Sequence, residues 1–419
     1  MSSIARPLSH LPYFEQLAEL ATDSAEWRGT SAALVVLRLF DSWMTDGASV
    51  VANEAQGLRL VREQIAAMDA RDTTRGLLSS IVETMVYAEK PRMVTVAPRL
   101  LAYGRTLQQE AKWALAADVY RTVLAYTTPI ESSDTVIAAN MQLGRCLRVM
   151  ADWEEALACF ASASQIATIN DDMMNILLAR IQEAHIAIDR GNLPYAETVL
   201  DETIARAKES GLADIRATAI HDRAHLASRR GRHEEGLLLQ FEAFKGVRNQ
   251  MSRDRVLNDL GASFVQLGVY TAARDAFLVV AATAQEQYMR WTATINLLDV
   301  AVHERREPLF EQYRRDLEDA ALPPSLATYY YIYVAQGYRA FDQLSLATAA
   351  VGRAIELARS NQLGQAHFEA EELLDRLNRD IAKEAREERE AMRGTTWSPQ
   401  VQDIANALHE LRTMAGVEA

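Results

Sequence analysis

Cysteine, proline and an excess of positive charge are all scarce in this chain, and each shortage excludes something. Two cysteines in 419 residues, Cys146 and Cys159, make neither a disulfide framework nor a zinc ligand set. They are expected as reduced thiols in a core. Ten prolines and 18 glycines are few for a chain of this length, while alanine and leucine are prominent. That balance favours helices and disfavours a loop-rich or all-β fold. The formal net charge is −13, and a generic nucleic-acid binder needs the opposite sign to displace counterions. No stretch approaches the roughly 18 consecutive apolar residues of a membrane helix. The N-terminus passes to Tyr13-Phe14-Glu15-Gln16 without an apolar signal core, so a cytoplasmic location is expected. Catalytic signatures are missing too: there is no phosphate-cradling glycine loop, no G-x-S-x-G, and His303-Glu304-Arg305-Arg306-Glu307 lacks the second histidine of a zinc protease. No enzyme activity is expected.

What the chain does have is a pair of small-residue columns in step. Gly104, Gly144, Ala184, Ala224, Gly261, Leu298 and Ala335 form the first column. Twelve residues after each stands its partner: Ala116, Ala156, Ala196, Gly236, Ala273, Phe310 and Ala347. The interval is 40 residues three times and then 37 three times. Small side chains at matched positions let two helices approach closely, with Leu107, Trp113 and Tyr120 filling the flanks. Leu298 and Phe310 break both columns at once, so the sixth hairpin is expected to be splayed or out of register. Turns between the paired helices are signalled at Ala111-Lys112, Ala151-Asp152, Gly191-Asn192, Gly231-Arg232, Gly268-Val269 and Asp342-Gln343.

With Gly104, Leu107, Trp113, Ala116, Tyr120 and Pro129, and again Gly144, Leu147, Trp153, Ala156 and Phe160, the pattern resembles the tetratricopeptide (TPR) repeat. The long interval is similar to that of kinesin light chains and of sensor domains in large bacterial transcription activators. This resemblance implies an all-α fold, a right-handed α-solenoid of TPR-like helical hairpins. Residues 1–90 are expected as degenerate or capping hairpins, 91–360 as about seven repeats, 361–394 as a long charged helix, and 395–419 as a linker with an amphipathic helix from Pro399 to Met414. Helices are expected over about 10–22, Thr30–Trp43, up to Met68, and Leu77–Tyr87, the last capped by Asp72-Thr73-Thr74. Pro91 and Pro98 are expected to punctuate the entry into the array. Phe368, Leu373, Leu377 and Ile381 are expected to share one buried stripe.

The resemblance also implies that the first helix of each hairpin lines a concave groove. The residue after each column member then faces that groove: Arg105, Arg145, His185, His225, Ala262, Asp299 and Gln336. One turn on, Gln108, Gln109, Arg148, Ser228, Arg229 and Arg339 join them, and His221 lies one turn before His225. This row of Arg and His in an acidic protein suits an acidic peptide or a C-terminal carboxylate. The bland alternative is that the row is solvated, or neutralised by Asp189, Asp222 and Glu183. His185, His221 and His225 offer three imidazoles, but unpatterned histidines on an exposed helix are far commoner than a metal site, so no metal or cofactor is expected. Chaperone-binding members carry Asn where Arg105 and Arg145 stand, which argues against a cochaperone role. The expected function is a non-enzymatic protein- or peptide-binding scaffold, touching neither nucleic acid nor membrane. The rival is a ligand- or peptide-sensing regulator, clamping a signal peptide or small molecule, that acts through a partner.

Overall fold

A computed structural model describes residues 9–22, 24–46, 55–70, 72–87, 92–361 and 363–394. Among the described residues it contains helices and no strand, and none of those helices is long and apolar enough to cross a membrane. The helices are α1 Leu11–Glu19, α2 Ala25–Asp46, α3 Ala55–Ala66, α4 Thr73–Tyr87, α5 Met93–Gln109, α6 Trp113–Tyr126, α7 Pro129–Val149, α8 Trp153–Ile169, α9 Met173–Asp189 and α10 Leu193–Glu209. They continue with α11 Ala213–Arg229, α12 His233–Gly246, α13 Gln250–Gln266, α14 Tyr270–Thr283, α15 Gln287–His303, α16 Glu307–Glu318, α17 Pro324–Ala340, α18 Leu344–Ser360 and α19 Gly364–Gly394. This is the all-α solenoid of helical hairpins that the paired columns imply. The chain divides into two compact units, one ending at Arg248 and one beginning at Asn249. The expected helix at Pro399–Met414 and the expected break at Pro91 lie outside the described residues.

The seam inside each hairpin follows from size. A Cβ on Gly104 would sit 2.6 Å from the Tyr120 ring, one on Gly144 2.6 Å from Phe160, and one on Gly261 2.5 Å from Phe277. In each case the ring comes four residues after the column alanine, so one helix contributes nothing and the other an aromatic. Where the first column holds alanine, the filler shrinks: Leu200 opposite Ala184, Gln240 opposite Ala224, Val351 opposite Ala335, all essentially fully buried. The sixth hairpin uses the same device in a different register. Leu298 is completely buried, and the ring has moved back one turn to Phe310, where it packs on Gly337 of α17 with Tyr338 and Phe341 at 5.6 and 5.5 Å. It is neither splayed nor poorly packed.

All six signalled turns place the marked residue in the left-handed region: φ is 59° at Ala111, 62° at Ala151, 79° at Gly191, 76° at Gly231, 73° at Gly268 and 59° at Asp342. Arg305 at 57° supplies the seventh. Each turn closes with a backbone bond spanning six residues, for example Lys112 N–H to Leu107 O at 2.9 Å and Asp152 N–H to Leu147 O at 2.9 Å. The following helices are often capped by Asx side chains. Asp152, Asp172, Asn192 and Asn249 each accept from the backbone N–H three residues on.

Local expectations fail in three places, each for a readable reason. Helix α2 begins at Ala25 rather than Thr30 because the Ser24 hydroxyl caps it, accepting from Trp27 N–H at 3.0 Å. Pro98 lies inside α5 rather than before it, and in that turn the Arg99 guanidinium reaches back to Thr95 O at 2.7 Å. On α19 the buried line is Ala366, Ala370, Leu373 and Leu377, while Phe368 is exposed and Ile381 stands at the margin. Phe368 follows Ala366 by two positions, which is nearly the opposite side of a helix. As expected, Asp72 caps α4, accepting from Thr74 N–H at 2.8 Å.

The N-terminal helices of the first unit are held to the array by a buried polar knot absent from the sequence expectations. His10 is inaccessible to solvent, with Nδ1 2.6 Å from Asp118 Oδ2 of α6 and Nε2 3.1 Å from Asp41 Oδ2 of α2. Tyr13, Tyr103 and Tyr126 surround it, with the Tyr13 hydroxyl donating to that of Tyr103 at 3.3 Å. Burial lowers the imidazole pKa, but the two carboxylates outweigh burial and raise it from 6.5 to about 9.

Two outcomes follow from this packing. Gly144→Ala should destabilise the protein by about 1–3 kcal/mol through overpacking on Phe160. Gly144→Ala combined with Phe160→Leu, which copies the Ala184–Leu200 seam, should recover most of that loss in a double-mutant cycle of urea midpoints. For His10, the folded pKa lies above the unfolded one, so its contribution is complete below about pH 6.5 and fades as pH rises through about 9. The difference in melting temperature between wild type and His10→Gln should therefore be largest near pH 6 and shrink by pH 9.5. A constant difference across that range would rule out a charged His10.

Candidate functional site

Within the first unit, α5, α7, α9 and α11 lie side by side, while the second helices of the same hairpins are spread further apart. A hairpin stack tighter on one side curves toward that side, so these four first helices form the inner row. Tyrosine 120, standing on Gly104, fixes its centre. The Tyr120 hydroxyl donates to Gln108 Oε1 at 3.0 Å, and the Gln108 amide contacts Cys146 Sγ at 3.2 Å. Gln108 is thus spent on joining α5, α6 and α7 rather than offered to a ligand. Burial drives the Tyr120 phenol pKa well above its ordinary value, and both Arg105 and Arg145 pull it back. The two guanidiniums therefore act on one phenol.

Arg145 is half-buried and makes no hydrogen bond or ion pair with any described residue. Burial, reinforced by the neighbouring Arg148 charge, holds its pKa below the usual arginine value. Arg105 is exposed and likewise without an acidic partner. Arg148 does have one: its Nη1 meets Asp189 Oδ2 at 2.5 Å, while its buried Nε has no hydrogen-bond partner. Of these three arginines, Arg148 alone has an acidic partner among the described residues.

The row changes character farther along. His185 Nε2 lies 3.0 Å from Asp222 Oδ2, so that imidazole is matched by an acid. His221 and His225 touch each other, Nε2 to Nε2 at 3.1 Å with ring centroids 4.4 Å apart, and His185 is engaged elsewhere. Glu183 takes no part in neutralising the row; it accepts from Arg180 at 2.7 Å and from the Tyr195 hydroxyl. Gln109 and Arg229 are exposed at the C-terminal ends of α5 and α11. Ser228 turns into the hairpin seam, filling the space left by Gly236, and so leaves the groove set. In the second unit Arg339 is bound to Asp380 of α19, Nε to Oδ2 at 2.6 Å. The structure thus brings Arg105, Arg145 and Arg148 together and gives His185 and Arg339 partners of their own.

Sequence reasoning missed a second arginine cluster, which is structural. Arg223 is buried among Glu197, Asp201 and Glu235, with Nε to Asp201 Oδ1 at 3.0 Å. Glu197 also receives Arg230 and Arg232, and these three arginines overcome its burial to lower its carboxyl pKa. Its members come from α10, α11, α12 and the turn between the last two, at separations no local pattern reveals. Alternating charge on neighbouring helices was the one available signal.

No protein-family model matches this chain, and no curated protein matches it. Solved structures do. The Rap conjugation gene regulator of the plasmid pLS20, in complex with the Phr* peptide, is 13% identical with a TM-score of 0.49, covering 80% of this chain and 97% of that one. The apo form of the quorum sensor NprR from B. thuringiensis is 12% identical with a TM-score of 0.47, covering 82% and 90%. A tetratricopeptide repeat protein from Parabacteroides merdae is 13% identical with a TM-score of 0.43, covering 67% and 98%.

Both thiols sit in this unit, buried and unpaired, and burial raises each to about 11. A thiol so raised is almost wholly protonated at neutral pH and a poor nucleophile. Native protein at pH 7.5 should therefore release little colour from a disulfide reagent over an hour, and two thiols per chain on unfolding in urea. Rapid reaction of one native thiol would contradict the assigned burial of Cys146 or Cys159.

Proposed function

We propose that the chain is a non-enzymatic binding scaffold whose first unit takes an acidic peptide or protein segment along its inner row. The observation that carries this reading is Arg145. It is a half-buried guanidinium beside Arg105 and Arg148, with no acid among the described residues to satisfy it. An arginine held in that state gains from a carboxylate what solvent does not supply, and its planar fork accepts one bidentately. Arg105, exposed on the adjoining helix, adds a second contact. Arg148, its side chain a quarter exposed, adds its charge. Placing these groups on packed helices keeps the ordering cost of binding low. The −13 total charge does not oppose this, because charges beyond a Debye length of about 10 Å are screened in ordinary buffer.

The reading is tested by titrating the full chain with acidic peptides, with free and with amidated C-termini, at low and high salt. Affinity should fall as salt rises. Arg145→Glu with Arg148→Glu should weaken binding by about tenfold or more while leaving the melting temperature nearly unchanged. Asp189→Asn, which releases Arg148, should strengthen it. Binding that ignores both salt and the double charge reversal would remove the proposal.

A further inference from the structure

In the second unit the slot held by Arg105 and Arg145 in the first is occupied by an acid, Asp299. Helices α15, α17 and α19 lie side by side there, so their facing residues share one strip of surface. Asp299 comes from α15, Tyr329 and Tyr333 one turn apart from α17, and Glu369 from α19. All four are half-buried residues of these adjoining helices. Burial pushes the Tyr333 phenol up to about 12, with Asp299, Glu369 and Tyr329 each contributing, and Glu369 also raises Tyr329.

Among the described residues neither carboxylate pairs with an arginine or lysine. Asp299, its side chain about a quarter exposed, pairs among the described residues with His303 Nε2 at 3.5 Å, and that imidazole is stacked on Tyr270 with centroids 4.6 Å apart. Glu369 is half-buried, and among the described residues it accepts one hydrogen bond, from the Gln365 amide at 2.7 Å. Two under-neutralised carboxylates beside two half-buried phenol rings make a strip of one sign bordered by aromatic groups. A hard metal ion draws little from protonated phenols. An organic cation draws on both the carboxylates and the ring quadrupoles.

We propose that Asp299, Tyr329, Tyr333 and Glu369 form a binding site for the guanidinium or ammonium group of a basic side chain. The site is independent of the acidic-ligand reading of Arg145, since it lies in the other unit and recognises the opposite charge. The carboxylates set the charge of the guest, and the rings discriminate against a hydrated inorganic ion. Gln336, exposed three residues after Tyr333, stands one turn farther along the same helix and offers an amide to the guest's backbone.

The test uses the full-length chain and three probes read by saturation-transfer NMR: N-acetyl-arginine amide, N-acetyl-lysine amide and the uncharged N-acetyl-citrulline amide. The two cationic probes should bind and the citrulline probe should not. Asp299→Asn and Glu369→Gln should each weaken cation binding by about fivefold. Arg145→Glu should leave it unchanged, which keeps the outcomes of the two readings separable. Stronger binding of the arginine probe would assign the rings a stacking role, and stronger binding of lysine a point-charge role; either supports the site. Equal binding of citrulline and arginine overturns the proposal, as do carboxamide variants with unaltered affinity. Should a variant fail to fold, the citrulline comparison on the unaltered chain still decides.

Discussion

The closeness of two helices at one point in each hairpin governs most of what this chain does. Where Gly104, Gly144 or Gly261 presents no side chain, an aromatic ring from the second helix occupies the vacancy; where alanine stands, a smaller group does. Overpacking and cavity formation both cost free energy, so the two residues of each seam are constrained as a pair rather than singly. The sixth hairpin makes the same point from the other side. Leucine and phenylalanine in the columns do not loosen it, because the ring transfers to Gly337 of the next hairpin.

From that seam follows the electrostatics. Holding first helices side by side brings residues about 40 positions apart into one row, which is how Arg148 meets Asp189, 41 residues later. A side chain's neighbours in the row are set by repeat register, not by the charge of the chain as a whole. Around Tyr120 the first unit gathers arginines with one acid between them, and around Tyr333 the second gathers two acids that pair with no arginine or lysine among the described residues. An average of −13 over the molecule conceals both.

How much of this could be read beforehand depended on whether a feature recurs. The columns, the hairpins and six of the seven turns repeat, so periodicity exposed them. Within the candidate site the same regularity located Arg105, Arg145 and Arg148, because their place in the row follows from the column beside them. It could not tell that Gln108 would be claimed by Tyr120, that Ser228 would turn into the seam, or that His185 and Arg339 would find acids of their own. Those are pairings between side chains decided by shape. The His10 knot was invisible for a related reason: its partners Asp41 and Asp118 lie 31 and 108 residues away, separations that match no repeat interval. The hint was Asp118 itself, a charge in the otherwise apolar run from Trp113 to Val119.

The turns show which level of structure prevails when the two disagree. Ala111, Ala151, Arg305 and Asp342 adopt a left-handed backbone that costs an L-residue about 1–2 kcal/mol, and glycine holds the same place in three other hairpins. Local preference alone would put glycine in all seven. The conformation persists without it because the six-residue closure bond and the seam beneath it demand one exit path from the first helix. Every seam but that of Gln240 buries an aromatic or aliphatic side chain, and burial of one such group is worth about 1.5–3 kcal/mol. That exceeds the strain of a single residue. The backbone of the turn therefore follows the packing of the rods it joins, and the residue at its apex can vary as long as the seam does not.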